Sequence, residues 1–199
     1  MRTETQPPRT PAEWAALAGL EEEARQLAPQ ASDPRSFAST LASGGRQIDA
    51  VRLLAHLLPG REAVLWAWSC AKSCAPANLP ALLSASLRAT EQWIAQPDDE
   101  HRRAAMAAAQ EAEVGTPAGA AGLAAFLCGD SLAPAGAQPV APAEFLSAKA
   151  VAASIMLSAV ATEPEKAHAK YSDFLLRGFE LAQRIQLWER IAGQPGSEK

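Results

Sequence analysis

Apolar residues recur along most of the chain at helical spacing. Leu79, Leu82, Leu83, Leu87, Thr90 and Ile94 fall on one helix face. Tyr171, Phe174, Gly178, Leu181, Ile185 and Trp188 are spaced 3, 4, 3, 4 and 3 residues apart. That spacing makes a seam for packing on another helix, and it would permit a homodimer. No segment alternates apolar and polar positions over the length a half-buried strand needs. The pattern predicts helices at 11–28, 34–43, 46–58, 61–75, 78–96, 99–114, 117–128, 142–161 and 163–192.

Start and stop signals frame these segments. Thr10, Pro11 and Glu13 carry a cap hydroxyl, a proline at the first helical position and a carboxylate placed to reach back. Asp33-Pro34 and Thr116-Pro117 repeat the cap-then-proline signal, and Asp98 or Asp99 caps the segment after Pro97. Thr162 and Glu165 have capping-box spacing, with Pro164 in the first turn. Gly44-Gly45, Pro59-Gly60, Pro97, Gly115 and Gly129 supply the stops.

Three stretches read as irregular: residues 1–9, the connection "DSLAPAGAQPVA" at 130–141, and the tail from 193 to 199. The 130–141 connection leaves only two helices after it, which favours one domain over 10–192. The expectation is an all-α fold, a single compact helical domain of about eight or nine helices arranged as stacked hairpins. No repeat consensus recurs at a fixed period, which argues against a regular solenoid.

Composition sharpens this. Alanine dominates while β-branched residues and tyrosine are sparse, which favours helices over strands. The net charge of −4, with no cluster of Lys or Arg, gives no electrostatic footprint for nucleic acid. The longest apolar stretch, about 146–161, carries Lys149 and falls short of the roughly 20 residues that span a bilayer. The N-terminal "MRTETQPPRTPAEW" lacks the apolar centre of a signal peptide. Three cysteines, an odd number, suit a reducing compartment. The expected location is the cytoplasm, away from membranes.

Gly129-Asp130-Ser131-Leu132 spells the nucleophile signature of a class of serine esterases. That chemistry needs a strand to deliver the serine to a sharp turn beside an oxyanion hole, with a histidine base later in the chain. Here "AGAAGLAAFLC" leads in as a helix. The next histidine along the chain is His168, preceded three residues earlier by Glu165 rather than aspartate. Asp98 and His101 have the Asp-x-x-His spacing but precede the serine. The favoured reading is a turn: Gly129 ends a helix, and Asp130 and Ser131 cap the turn after it.

Cys70 and Cys74 stand one helical turn apart, and His56 lies before the turn at Pro59-Gly60. Two thiolates and an imidazole would be three ligands of a zinc site, with Cys128 to be recruited from afar. The usual Cys-x-x-Cys spacing is missing, so these cysteines read as small buried apolar residues and no metal or cofactor is expected. Trp66 and Trp68 leave opposite sides of their helix, so at least one belongs to the core. The acidic Asp98–Glu100 run before His101, Arg102 and Arg103 reads as a solvated cap, and His168 as a surface residue.

The segments "LLAHLLPGREAVLWAWSCAK" (53–72), "RRAAMAAAQEAE" (102–113), "TPAGAAGLAAFLCGDSLAP" (116–134) and "YSDFLLRGFELA" (171–182) resemble a family of bacterial proteins of unknown function, over roughly 35–190. The resemblance implies a cytosolic helical protein associated with gene neighbourhoods for type VI secretion. It carries over no catalytic residues. By analogy it implies a non-enzymatic adaptor or chaperone-like module that binds another protein, a secretion component or effector. Trp66, Trp68 and the loop residues Gly129, Asp130, Ser131, Leu132 and Pro134 are the candidate contact residues. Two rival functions stay open: an immunity protein or regulator holding one toxin, and a hydrolase at Ser131 or a metal site at Cys70/Cys74.

Overall fold

The computed structural model describes residues 9–134 and 136–191. The stretch before Arg9 and the tail after Ile191, both read from sequence as irregular, lie outside the described residues. Arg9 itself is placed: its guanidinium pairs with Glu144 at 2.9 Å and stands 5.2 Å from the Trp14 ring.

Every regular element among the described residues is helical. The α-helices are α1 (Pro11–Leu17), α2 (Glu22–Arg25), α3 (Pro34–Ser43), α4 (Gln47–Leu57), α5 (Gly60–Ser73), α6 (Ala81–Ala95), α7 (Asp99–Glu111), α8 (Pro117–Leu127), α9 (Leu146–Val160), α10 (Ala167–Arg184) and α11 (Leu187–Ile191). Short 3-10 turns at Ala28–Gln30 and Pro164–Lys166 join them. No single helix among the described residues is long and apolar enough to cross a membrane.

Helix starts follow the chemistry of their caps. Thr10 accepts the Glu13 N–H while the Glu13 carboxylate takes the Thr10 N–H, a reciprocal box. Asp33, Asp98 and Thr116 accept the amides of Ser36, His101 and Gly119. Thr162 does not cap. Glu163 turns left-handed instead (φ +45°), and the Thr162 carbonyl receives the Lys170 ammonium.

Two expected helices are broken. The segment from 11 stops at Ala18, turns through Gly19 at φ +61°, and resumes as α2. The C-terminal segment stops at Ile185, where Gln186 turns to φ +54° and swings α11 back onto α3. These breaks raise the expected eight or nine helices to eleven α-helices among the described residues.

One main core runs from Ala15 to Trp188. α8 sits at its centre, touching α5, α6, α7 and α9. Seven of its residues are buried and all are alanine or glycine, so neighbouring backbones come close. A β-carbon on Gly122 would stand 2.9 Å from the Ala105 carbonyl oxygen of α7. From α6 to α9 each helix packs on the next, which gives the expected stacking. α10 lies across α4, α5 and α9. Its seam at Tyr171, Phe174 and Gly178 is therefore buried by the chain's own helices and is not available to a second copy.

The α3 cap yields a pH-dependent prediction. Asp33 is held below the usual carboxylate range because the Ser36 amide donates to it. A carboxyl depressed in the fold contributes stability above its unfolded pKa and loses it as pH falls through the folded value. Asp33→Ala should cost roughly 1 kcal/mol in urea unfolding at neutral pH. The gap should narrow as pH drops below the carboxylate range. Asp33→Asn keeps a cap without the titration, so its stability relative to wild type should rise on acidification.

Candidate functional site

The sequence-selected loop begins where α8 ends. Cys128 closes that helix, and the Gly129 amide donates to the Phe126 carbonyl at 3.3 Å. Above Gly129 lies Arg102 from α7, only 4% exposed. Its guanidinium stacks over the Phe126 ring at 4.8 Å and donates to the Phe126 carbonyl at 2.8 Å. Nε and Nη2 of the same side chain donate to Asp99. Arg103 also donates to Asp99, at 2.6 Å, and to the Ala133 carbonyl at 3.0 Å. Hydrogen bonds from Arg103 and Arg102 hold the Asp99 carboxyl below its usual range.

Ser131 is a turn residue in this arrangement. Its Oγ accepts the amides of Ala133 (3.1 Å) and Val140 (3.0 Å), and the Leu132 amide donates to the Val140 carbonyl at 2.7 Å. The hydroxyl thus clips the two ends of the loop together. A polar cleft of about 270 Å³ adjoins it, lined by Trp93, Asp98, Asp99, Arg102, Asp130 and Ser131. His101 Nδ1 is bonded to Asp98 at 2.7 Å, and His168 lines a different cleft with Gln47 and Tyr171. Ser131 Oγ contacts amide donors rather than an imidazole. Leu132 is half-buried, whereas Asp130 and Pro134 are exposed.

The two indoles separate as their spacing requires. Trp66 is 1% exposed and its Nε1–H donates to the Phe174 carbonyl of α10 at 2.7 Å. It is a core residue and presents no contact surface, which corrects its place among the contact candidates. Trp68 is half-buried on the other side, donates to the Leu87 carbonyl at 3.0 Å, and carries the Lys72 ammonium 4.4 Å from its ring centre. It packs with Leu79 and Leu83 on a small cluster of Ala71, Leu87 and Ala118, apart from the main core.

Beside that cluster runs an apolar groove of about 210 Å³. Leu79, Pro80, Leu83, Pro117, Ala118 and Ala161 are among the residues that line it. Leu82, on the same helix, is 52% exposed. The leucine face of α6 is legible in the sequence, but along it only Leu87 and Thr90 are buried, while Leu79, Leu83 and Ile94 are half-buried and Leu82 is exposed.

Cys70, Cys74, Cys128 and His56 do not gather into one site. Among the described residues no three His, Cys, Asp or Glu side chains gather into a metal-binding group. Cys70 is fully buried, and burial pushes its thiol up to about 12. Cys128, by contrast, lies in the same cavity as His56, with its Sγ 2.9 Å from the Ser147 hydroxyl. No spacing rule signals that meeting of distant segments.

An all-helical chain with an apolar groove and a clipped loop is the class these observations define. The chain belongs to DUF6931, a family of unknown function, whose model matches residues 37–182. No curated protein and no solved structure matches it.

Proposed function

We propose that this protein is a non-enzymatic module that binds another protein, and that the groove beside Trp68 is its docking surface. The apolar lining of that groove carries the reading, and Leu82, next in the chain to the lining residue Leu83, is exposed. Exposed apolar surface of this kind costs solubility unless a partner covers it. The occupant that fits is the apolar face of an amphipathic helix, read by pockets between Leu79, Leu83 and Pro117. Lys72 and Glu91, paired at 3.6 Å near the Trp68 side, offer a polar rim. We place its work in the bacterial cytoplasm, as an adaptor or chaperone-like accessory of a type VI secretion or effector system. That assignment rests on the family resemblance.

The test is affinity purification of the tagged protein with mass spectrometry of what accompanies it. A stoichiometric partner is expected from wild type. Leu82→Glu should reduce its recovery at least about tenfold while leaving the melting temperature within a few degrees, because the side chain already faces solvent. Recovery of wild type alone, or a partner retained equally by Leu82→Glu and Leu79→Glu, would overturn the proposal.

A further inference from the structure

The cavity shared by His56 and Cys128 is separate from the Trp68 groove and points to a second kind of ligand. It has a volume of about 230 Å³ and opens between the end of α4, the start of α5 and the start of α9. Ala55, Leu58, Ala63, Ala148 and the Phe145 ring supply apolar walls. Cys128 and Ser147 supply the remaining polar atoms besides His56. Among the described residues no charged side chain lines it.

His56 is 4% exposed. Its Nδ1 lies 2.8 Å from the Arg52 carbonyl, an acceptor, so Nδ1 carries the proton and Nε2 is left as a lone pair. Nε2 has no hydrogen-bond partner among the described residues. Burial, with Lys149 nearby, pushes the imidazole pKa down and keeps the ring neutral at physiological pH. The two other polar groups satisfy one another. Ser147 donates to the Ala124 carbonyl at 2.9 Å, which leaves its oxygen to accept from the Cys128 thiol. His56, one of the residues lining the cavity, therefore carries one unmet acceptor behind apolar walls. Buried acceptors are almost always partnered, so Nε2 calls for a donor.

We infer that this cavity binds a small neutral molecule, largely apolar and with a single O–H or N–H donor, which bonds to His56 Nε2. The size agrees: an aliphatic cavity of about 150 Å³ holds a benzene ring. No charged side chain among the lining residues stands ready to pair with a charged ligand, which would also lose hydration on entry. The Phe145 ring packs on the imidazole, its centre 5.3 Å from that of His56. Trp14 and Arg9 pack on the Phe145 ring in turn, so displacing that stack gives the ligand its way in.

The test compares phenol with toluene, two molecules of one shape that differ in the donor. The full chain, labelled with nitrogen-15, is titrated with each in the millimolar range and followed by NMR. Phenol should bind roughly tenfold more tightly than toluene, the worth of one hydrogen bond to a buried acceptor. It should also move the His56 Nε2 resonance upfield, which toluene should not do. In His56→Leu the preference for phenol should vanish while toluene binding persists. Should that variant fail to fold, the wild-type comparison decides alone. Equal affinities, no binding of either probe, or shifts confined to residues away from the cavity would overturn the inference.

Discussion

Trp66→Ala should remove about 3–5 kcal/mol of stability, the largest loss expected from any truncation in the chain. The indole is 1% exposed and sits where α5 meets α10. The fit there is tight. A β-carbon on Gly178 of α10 would stand 2.8 Å from Trp66 Cε2 and 2.6 Å from Leu54 Cδ2. The glycine exists at that point of the seam because the ring fills the space. Removing the ring leaves a void that two packed helices cannot close, and the donor to the Phe174 carbonyl goes with it. For a protein whose whole margin is about 5–15 kcal/mol, this brings unfolding close to physiological temperature. The melting temperature should fall by roughly 10 °C. Trp68→Ala is the matched control. Its ring is half-buried on the satellite cluster, so its loss should be well under half as large, with the main effect on partner recovery. Calorimetry on both variants decides it. Equal losses would mean that the two indoles share the core, and would remove Trp68 from the groove argument.

The contrast between these two tryptophans shows what the chain states locally. Their two-residue spacing puts them on opposite sides of one helix, but spacing alone does not say which side faces inward. That depends on α10, more than a hundred residues later, packing on the Trp66 side. The same limit governs the helix breaks. Caps built from one side chain and a nearby amide, at Thr10, Asp33, Asp98 and Thr116, are legible because every atom involved is within a few residues. The turns at Phe145, Glu163 and Gln186 adopt positive φ without a glycine to announce them. There tertiary packing overrides local preference. Phe145 turns left-handed with its ring packed between Trp14 and His56, and α9 starts after it rather than at 142. The groove beside Trp68 was half legible: the leucine face of α6 is periodic, but its uncovered N-terminal end is a property of the packing. The His56 cavity left no trace in spacing, because its walls come from three separate segments.

Gly129 gives the second large effect, and it bears on the role of the esterase-like quartet. A β-carbon there would collide with Arg102 Nε and lie 2.5 Å from its Cδ and Cζ. The arginine cannot step aside without giving up the Phe126 carbonyl, Asp99 and the Phe126 ring together. Gly129→Ala should therefore cost about 1–3 kcal/mol, the usual penalty for overpacking. Its backbone φ is not in the left-handed region, so the penalty should come from the arginine and not from the loop. Arg102→Ala alone should cost about 1.5–3 kcal/mol, since the Phe126 carbonyl loses a charged donor while Asp99 keeps Arg103. In the double variant the clash disappears. Its loss should fall short of the sum of the single losses by roughly 1–2 kcal/mol. Urea unfolding of the four proteins measures that coupling. A glycine that a nucleophile needed would show no coupling to a buried arginine on the neighbouring helix, and additive losses would reopen that reading. A coupled pair assigns the glycine to the packing of α7 against the end of α8. It leaves Ser131 with the task its two amide bonds already describe, which is to hold the loop shut.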